Sequence, residues 1–309
     1  DFRSHLSMSP SEYFRRNVGI DPTLQWAGAR AHNRWLAELA QMAPERHLGV
    51  AVVPLLWDIE EAVKEVHWAA KNGLRAVMIP HIVGDFECYN HPRYYPFWAA
   101  CQDLDIIVNF HSGAAPFNNF FGNNWPEQAP SPGAVGCYTG EVFFWTYRPL
   151  TFLIWGGIFE RYPKLKVAIA ETGNGWMVGP YLKTLDFNYY ETPGSAKLGD
   201  FRSHLSMSPS EYFRRNVGIG ASCISRPDVE NRHAMGLDQI MWGSDYPHPE
   251  GSWPNTAQQM FDAFVDIPEA EVAAMLGENA VKFYGFDRDK LAAIAQRIGP
   301  RRDAFKSAA

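Results

Sequence analysis

Six short stretches of the chain are nearly unbroken apolar runs, and between them apolar residues recur every three or four positions. The runs are LGVAVVPLL (48–56), LRAVMIP (74–80), DIIVNFH (105–111), KVAIAE (166–171), RNVGIGAS (215–222) and QIMWGSD (239–245). Runs of this length without polar alternation predict strands buried on both faces. Asp21 and Pro22 predict a helix start, Asp as N-cap and Pro in the first turn, with Ala27, Ala31, Trp35, Leu39 and Met42 following at helical spacing. Asp58, with Glu61 three residues on, predicts a second start. Ile59, Ala62, Val63, Val66 and Ala69 form its apolar stripe, and Gly73 its end. Pro96 to Leu104 reads as a short helix with Phe97, Trp98 and Cys101 inward. Residues 112–140 read as a long loop, and 149–161 as a helix. A capped helical turn begins at Ser208-Pro209-Ser210-Glu211, and helices over 254–265 and 268–282 precede a polar tail.

Buried strands alternating with helices make an α/β fold around a parallel sheet. The pattern alone allows a barrel or an open doubly wound sheet. No GxGxxG or P-loop sequence follows a strand, which argues against a nucleotide-binding open sheet. His111, Glu171 and Asp245 each close an apolar run. In a (β/α)8 TIM barrel the carboxyl-terminal rim carries the active site, so these three side chains would meet there.

Composition narrows the function classes. The chain has 309 residues, 46% hydrophobic and 20% charged, which suits a large globular domain and not a disordered or fibrous one. A net charge of −6, with no basic block before the last ten residues, argues against a nucleic-acid partner. No apolar run approaches the ~20 residues of a membrane span, and the first residues are no signal peptide. Cys88, Cys101, Cys137 and Cys223 lie far apart with no CxxC, the usage expected of reduced, mostly buried thiols in a cytoplasmic protein.

Residues 1–20, DFRSHLSMSPSEYFRRNVGI, recur unchanged at 200–219. Structural repeats drift in sequence and recur at a regular period. A single identical copy reads instead as a recent duplication, an artefact or a rearrangement. The expected organisation is therefore this segment, a barrel over 21–298, and a polar tail over 299–309.

A divalent ion such as zinc takes imidazole nitrogen and carboxylate oxygen, and a catalytic site keeps one position open. His111 and Asp245 are apt ligands, and Glu171 is a ligand or a proton shuttle. Singly, a histidine after a strand is a core or loop residue, and Ser-Asp-Tyr-Pro is a turn; three polar strand ends together favour a site. His248, three residues after Asp245, reaches the same rim as a substrate or proton-transfer residue, or else orders its loop. His81 follows the run 74–80. Arg148 and the loop aromatics Phe117, Phe120, Phe121 and Trp125 line a cleft for an aromatic or carboxylated substrate, or pack on a neighbouring subunit in a homodimer. His32, His47, His67 and His233 are expected at the surface.

Four segments, NFHSG (109–113), GGIFERYPKLKVAIAETGNGW (156–176), MWGSDYPHPEG (241–251) and LGENAVKFYGF (276–286), resemble the amidohydrolase-2 family of TIM-barrel metal-dependent hydrolases and decarboxylases. The resemblance runs from about residue 21 to 298. It implies that His111 binds metal and that Asp245 binds metal and works as a base, with zinc as the ion or else manganese or magnesium. The family's sixth strand often ends in a histidine, where this chain has Glu171. Its first strand ends in a His-x-His or acidic-x-His pair, and no apolar strand here ends so. The six strands are then the third to eighth of the barrel, N-terminally incomplete, with the duplicated segment standing before them. The chain starts at Asp1, and 309 residues are not expected to be the natural length.

Two readings of function follow. One is an enzyme, a metal-dependent hydrolase or carbon–carbon lyase for a small carboxylated substrate. The other is a truncated or rearranged barrel without catalytic activity.

Overall fold

Six parallel strands pair in chain order: β1 (Val50–Val52), β2 (Ala76–Met78), β3 (Ile107–His111), β4 (Val167–Ala170), β5 (Val217–Ser222) and β6 (Ile240–Gly243). The computed structural model describes residues 21–112, 115–122, 131–172, 175–191, 199–222 and 224–299. Helices connect the strands in chain order: α1 (Pro22–Gln41), α2 (Ile59–Lys71), α3 (Tyr95–Asp103), α4 (Asn118–Phe121), α5 (Ala134–Trp155), α6 (Ile158–Arg161), α7 (Gly175–Tyr190) and α8 (Pro209–Asn216). Then come α9 (Arg226–Glu230), α10 (Arg232–Met235), α11 (Thr256–Phe264), α12 (Glu269–Ala273), α13 (Asn279–Tyr284) and α14 (Arg288–Ile298). A doubly wound sheet reverses its strand order at a switch point, and this sheet does not. The fold is α/β of the (β/α)8 barrel type, with six strands among the described residues.

Alternation along the strands sorts the side chains. Ala51, Val77, Val108, Phe110, Val167, Ile169, Val217 and Ile219 face the helices and join the main core. The other face carries Ala76, Ile107 and Ala168, which pack with Phe283 and Tyr284 of α13. Gly218 on this face has no room for a side chain: a Cβ would lie 2.6 Å from Met241 and 3.0 Å from Phe283. The aromatic pair thus fills the interior, as layers of side chains do in a closed barrel.

The β1 edge is closed by a side chain. Buried Asn33 on α1 donates from Nδ2 to the Val52 carbonyl (3.0 Å) and accepts from the Val52 N–H at Oδ1 (2.8 Å), the two bonds a neighbouring strand would make. Its Nδ2 also reaches Glu65 on α2 (2.9 Å), a buried carboxylate held by Arg30 and Arg34.

This arrangement corrects the expected face of α1. Trp35, Leu39 and Met42 are exposed, and the buried side is Gln25, Trp26, Ala29, Asn33, Ala37 and Ala40. The inward face is chosen by the amide bonds of Gln25 and Asn33, so counting apolar residues selects the wrong side. The expected loop over 112–140 contains α4 and the start of α5, which begins at Ala134 and carries Pro149 inside it. Pro149 removes one helix bond, and burial of Leu150, Leu153 and Ile154 holds the helix together. Helices α7, α9, α10 and α14 are additional to those read from the pattern. Of the cysteines, Cys101 is buried, Cys88 half-buried and Cys137 exposed, which corrects the expectation of mostly buried thiols; Cys223 lies outside the described residues. The caps of α1 and α2 follow the sequence: Asp21 accepts from Thr23 N and Asp58 from Glu61 N. No helix of the described residues is long and apolar enough to cross a membrane.

The copy at 200–219 is built into the fold. Ser208 and Glu211 form a reciprocal capping box at α8. Asn216 Nδ2 donates to the Pro163 and Leu165 carbonyls, and Val217 opens strand β5, which lies between β4 and β6. Residues 1–20, and residues 300–309 of the tail, lie outside the described residues.

Candidate active site

His111 is the last residue of β3, and alternation puts it on the inner face with Ile107 and Asn109. Its Nδ1 lies 3.0 Å from the Ser112 carbonyl and 3.0 Å from Glu171 Oε2. Both neighbours are acceptors, so Nδ1 carries the proton and Nε2 presents the lone pair. Glu171 follows β4 and also accepts from Ser112 Oγ at 2.9 Å.

Asp245 lies two residues beyond β6. Both Glu171 and Asp245 take left-handed backbone angles, φ +55° and +56°. Few residues other than glycine do so, and such conformations cluster at functional sites. The turn after Asp245 is tightly closed. His248 N donates to the Asp245 carbonyl (2.8 Å), Gly251 N to the His248 carbonyl (2.9 Å) and Ser252 N to the Ser244 carbonyl (2.9 Å). A Cβ on Gly251 would lie 2.8 Å from the Asp245 carbonyl oxygen, so only glycine fits there.

This turn places His248 Nδ1 3.4 Å from Asp245 Oδ2 and 3.3 Å from the Glu250 backbone N–H, which donates to it. Asp245 Oδ2 and the His248 imidazole thus face one another across the turn. The carboxyl pKa is raised by burial first and by the Glu171 carboxylate second, with His248 and His111 opposing.

One donor atom each from Glu171, Asp245 and His248 lie within 4.8 Å of one another. His111 adjoins them through Glu171. Two carboxylates and imidazole nitrogen converging from rigid strand ends suit a divalent metal ion.

His111 opens on a cavity of about 600 Å³ beyond the ends of β1, β2 and β3. Its walls include Leu56, Trp57, Met78, Phe86 and Phe117, together with His81 and Gln25. His81 is 7% exposed. Trp57 and Phe86 meet edge to face at 4.9 Å, and Phe117 stacks on Tyr138 at 5.6 Å. Phe120 and Phe121 pack around the same Tyr138. The structure therefore brings His111, Glu171, Asp245 and His248 together and sets His81 and Phe117 in the cavity beside them. It does not bring Arg148 there: this residue lies on a separate groove between α5 and α7. Trp125 lies outside the described residues.

Ser112, Gln25 and Gly251 were not singled out in the sequence. Ser112 meets Glu171 from 59 positions away, a pairing that no local pattern carries. Gly251 stands in the quoted segment MWGSDYPHPEG, where its spacing from Asp245 was the available signal. Two acidic-x-His pairs do occur, at 45–47 and 65–67, and neither closes a strand: Glu65 and His67 lie within α2.

The amidohydrolase family model (Amidohydro_2) matches residues 17–286. Among curated proteins, the γ-resorcylate decarboxylase of Polaromonas sp. is 25% identical over 243 residues, covering 71% of this chain and 65% of the relative. The chain thus spans just under two thirds of that relative's length. Among solved structures, the 5-carboxyvanillate decarboxylase of Sphingomonas paucimobilis superposes with a TM-score of 0.68 at 23% identity, covering 91% of this chain and 77% of that one. A dihydroxybenzoic acid decarboxylase of Polaromonas sp., solved with manganese and the inhibitor 2-nitroresorcinol, gives 0.64 at 20% identity, covering 87% and 78%.

The chain belongs to the amidohydrolase family.

Proposed function

We propose that this chain is a divalent-metal-dependent decarboxylase of small carboxylated aromatic compounds, with His111, Glu171, Asp245 and His248 at its reacting centre. The convergence of Glu171, Asp245 and His248 within 4.8 Å, beside a histidine that opens on an aromatic-walled cavity, carries the reading. The decarboxylases among the relatives favour decarboxylation over hydrolysis, the other chemistry left open by the sequence.

His111 Nε2 and an Asp245 oxygen would hold the ion, with Glu171 as a further donor. When bound, the ion supplies positive charge that fixes the substrate's oxygen atoms and stabilises charge developing on them. Zinc, the expectation from the sequence, suits the imidazoles, and manganese suits the carboxylates.

The protein's own groups handle the proton. Asp245 stands where a carboxyl group can pass a proton to the ring carbon that bears the substrate carboxylate, and burial, which raises its pKa, favours the proton-holding form. The new C–H bond forms, the C–C bond breaks with its electron pair returning to the ring, and CO2 leaves. Solvent has access to Asp245 on the side of the more exposed His248, which is the route by which its proton is replaced. Trp57, Phe86 and Phe117 give a flat ring apolar surfaces to pack on, and His81 faces its polar substituents.

The test is CO2 release from γ-resorcylate and 5-carboxyvanillate by the chain loaded with Mn²⁺ or Zn²⁺. We expect CO2 and decarboxylated product in equal amounts, lost on chelation and restored by metal. An acid or amine product instead would move the assignment to hydrolysis. Retention of less than ~0.2 metal equivalents without turnover would favour the inactive barrel, because too few ligands hold a metal weakly.

A further inference from the structure

The cavity beside His111 spans three strand ends. His111 closes β3, Phe86 lies on the segment after β2, and Trp57 follows β1. Strand β1 is two places from β3 in the sheet, about 10 Å across. A ligand carboxylate held near His111 therefore leaves the far end of the molecule beside Phe86 and Trp57. There the wall is hydrocarbon and ring. The Trp57 indole N–H already donates to Oε1 of Gln25 (2.5 Å), a side chain only 4% exposed, so the ring offers a ligand no unpaired donor. Ile82 and Val83 extend the same apolar wall.

Charge in the cavity is unbalanced. Among the described residues no lysine or arginine lines it, and residues 113–114 and 123–130, outside the described ones, include none either. Arg93 comes within 5.8 Å of the Phe86 ring, but it is bound to Glu87 Oε2 (2.5 Å) and to the Leu56 carbonyl (3.2 Å). Apart from His81 and His111, the ionisable side chain in the wall is Asp85, which is exposed. A second carboxylate on the ligand would leave water to meet apolar walls and a like charge. Size adds a further constraint. An apolar cavity of about 150 Å³ accepts benzene, and this one holds about 600 Å³. Pockets of that volume take molecules larger than one ring with its carboxylate.

We propose that the cavity selects aromatic monocarboxylates extended by an uncharged hydrocarbon substituent, so that the carboxylate to be lost is the ligand's one anionic group. The fate of that carboxylate rests on the decarboxylase reading above; the selection at the far end rests on Trp57, Phe86 and Asp85.

The test uses three ligands that differ only para to the carboxylate: salicylate, 4-pentylsalicylate and 2-hydroxyterephthalate, which bear hydrogen, a pentyl chain and a second carboxylate there. In calorimetric titration of the Mn²⁺-loaded chain, the pentyl compound should bind about tenfold or more tighter than salicylate, through burial of its chain. Hydroxyterephthalate should bind about tenfold or more weaker than salicylate. Asp85→Arg, with circular dichroism as the check on folding, should cut the preference for the pentyl compound over hydroxyterephthalate by about tenfold. Of the two trial substrates, γ-resorcylate carries one carboxylate and 5-carboxyvanillate two, so γ-resorcylate should have the higher kcat/KM by about tenfold or more. Equal affinities for the three ligands, tightest binding of hydroxyterephthalate, or a preference that a folded Asp85→Arg leaves unchanged would each overturn the selection. The expected order of affinities without CO2 release from any of the acids would refute decarboxylation and still support the selection.

Discussion

Glu171 and Asp245 leave the ends of β4 and β6 in the same left-handed backbone conformation, φ +55° and +56°, and their carboxylates converge on His248. Such a conformation costs a residue with a Cβ roughly 1 kcal/mol or more. The geometry that aims both carboxylates at one point is therefore bought with backbone strain.

The strain predicts a ranking at position 245. In the metal-free chain, Asp245→Gly should exceed Asp245→Ala in stability by about 1 kcal/mol, because glycine adopts the angle freely. Thermal unfolding would show this as a Tm difference of about 2 °C. Neither variant should release CO2. Equal stability of the two would mean that the angle is not strained.

Ser112 acts through Glu171. Removing its hydroxyl deletes the 2.9 Å bond to Glu171 Oε2 and frees that carboxylate to rotate. Ser112→Ala should weaken divalent-metal binding by about tenfold, the scale of losses when a partner of a metal ligand is removed. Calorimetric titration with Mn²⁺ measures this directly. The fold should be unaffected, since Ser112 lies at a strand end and its backbone N–H stays bonded to the Ala170 carbonyl.

Asn33 substitutes for a strand. Asn33→Ala leaves the Val52 N–H and C=O without their side-chain partners and removes one bond from buried Glu65. The expected loss is about 2–4 kcal/mol, read as a lower urea midpoint. Asn33→Leu should do no better, because the missing element is the pair of amide bonds and not volume. A loss below about 0.5 kcal/mol would show that the β1 edge does not need them.

Glu160 ties α6 to the segment 200–219. Its Oε2 accepts from the Tyr212 hydroxyl and from Ser206 Oγ at 2.8 Å. The Tyr212 bond first, and the Ser206 bond second, hold its pKa below the ordinary 4.5. A depressed carboxyl pKa contributes stability that is present above the unfolded value and lost as pH falls through the folded one. Glu160→Gln should therefore be less stable than the unaltered chain at pH 7, with the gap closing below about pH 4.5. Urea unfolding at pH 7 and pH 4 checks the sign, and a gap that widens in acid would contradict it.

Much of the sheet was legible because its strands lie in nearly unbroken apolar runs, three of which end in a carboxylate or an imidazole. His111, Glu171 and Asp245 stand out as the polar ends of such runs. Helix boundaries were legible where a cap is local, as at Asp58, and were lost where tertiary burial overrides a breaker, as at Pro149 inside α5.

By itself, the sequence determined the six buried strands, their alternation with helices and the residues at their ends, since apolar periodicity and caps are properties of neighbouring positions. The tertiary structure alone decided the pairing order that makes the sheet barrel-like, the inward face of α1, and the meeting of Ser112 with Glu171 and of Asp245 with His248. It also integrated the 200–219 copy of the repeated segment, through contacts to α6 and β4 that the identical residues 1–20 do not specify by sequence. Hydrogen bonds between distant residues depend on positions and angles in space, and twenty identical letters carry no record of their surroundings.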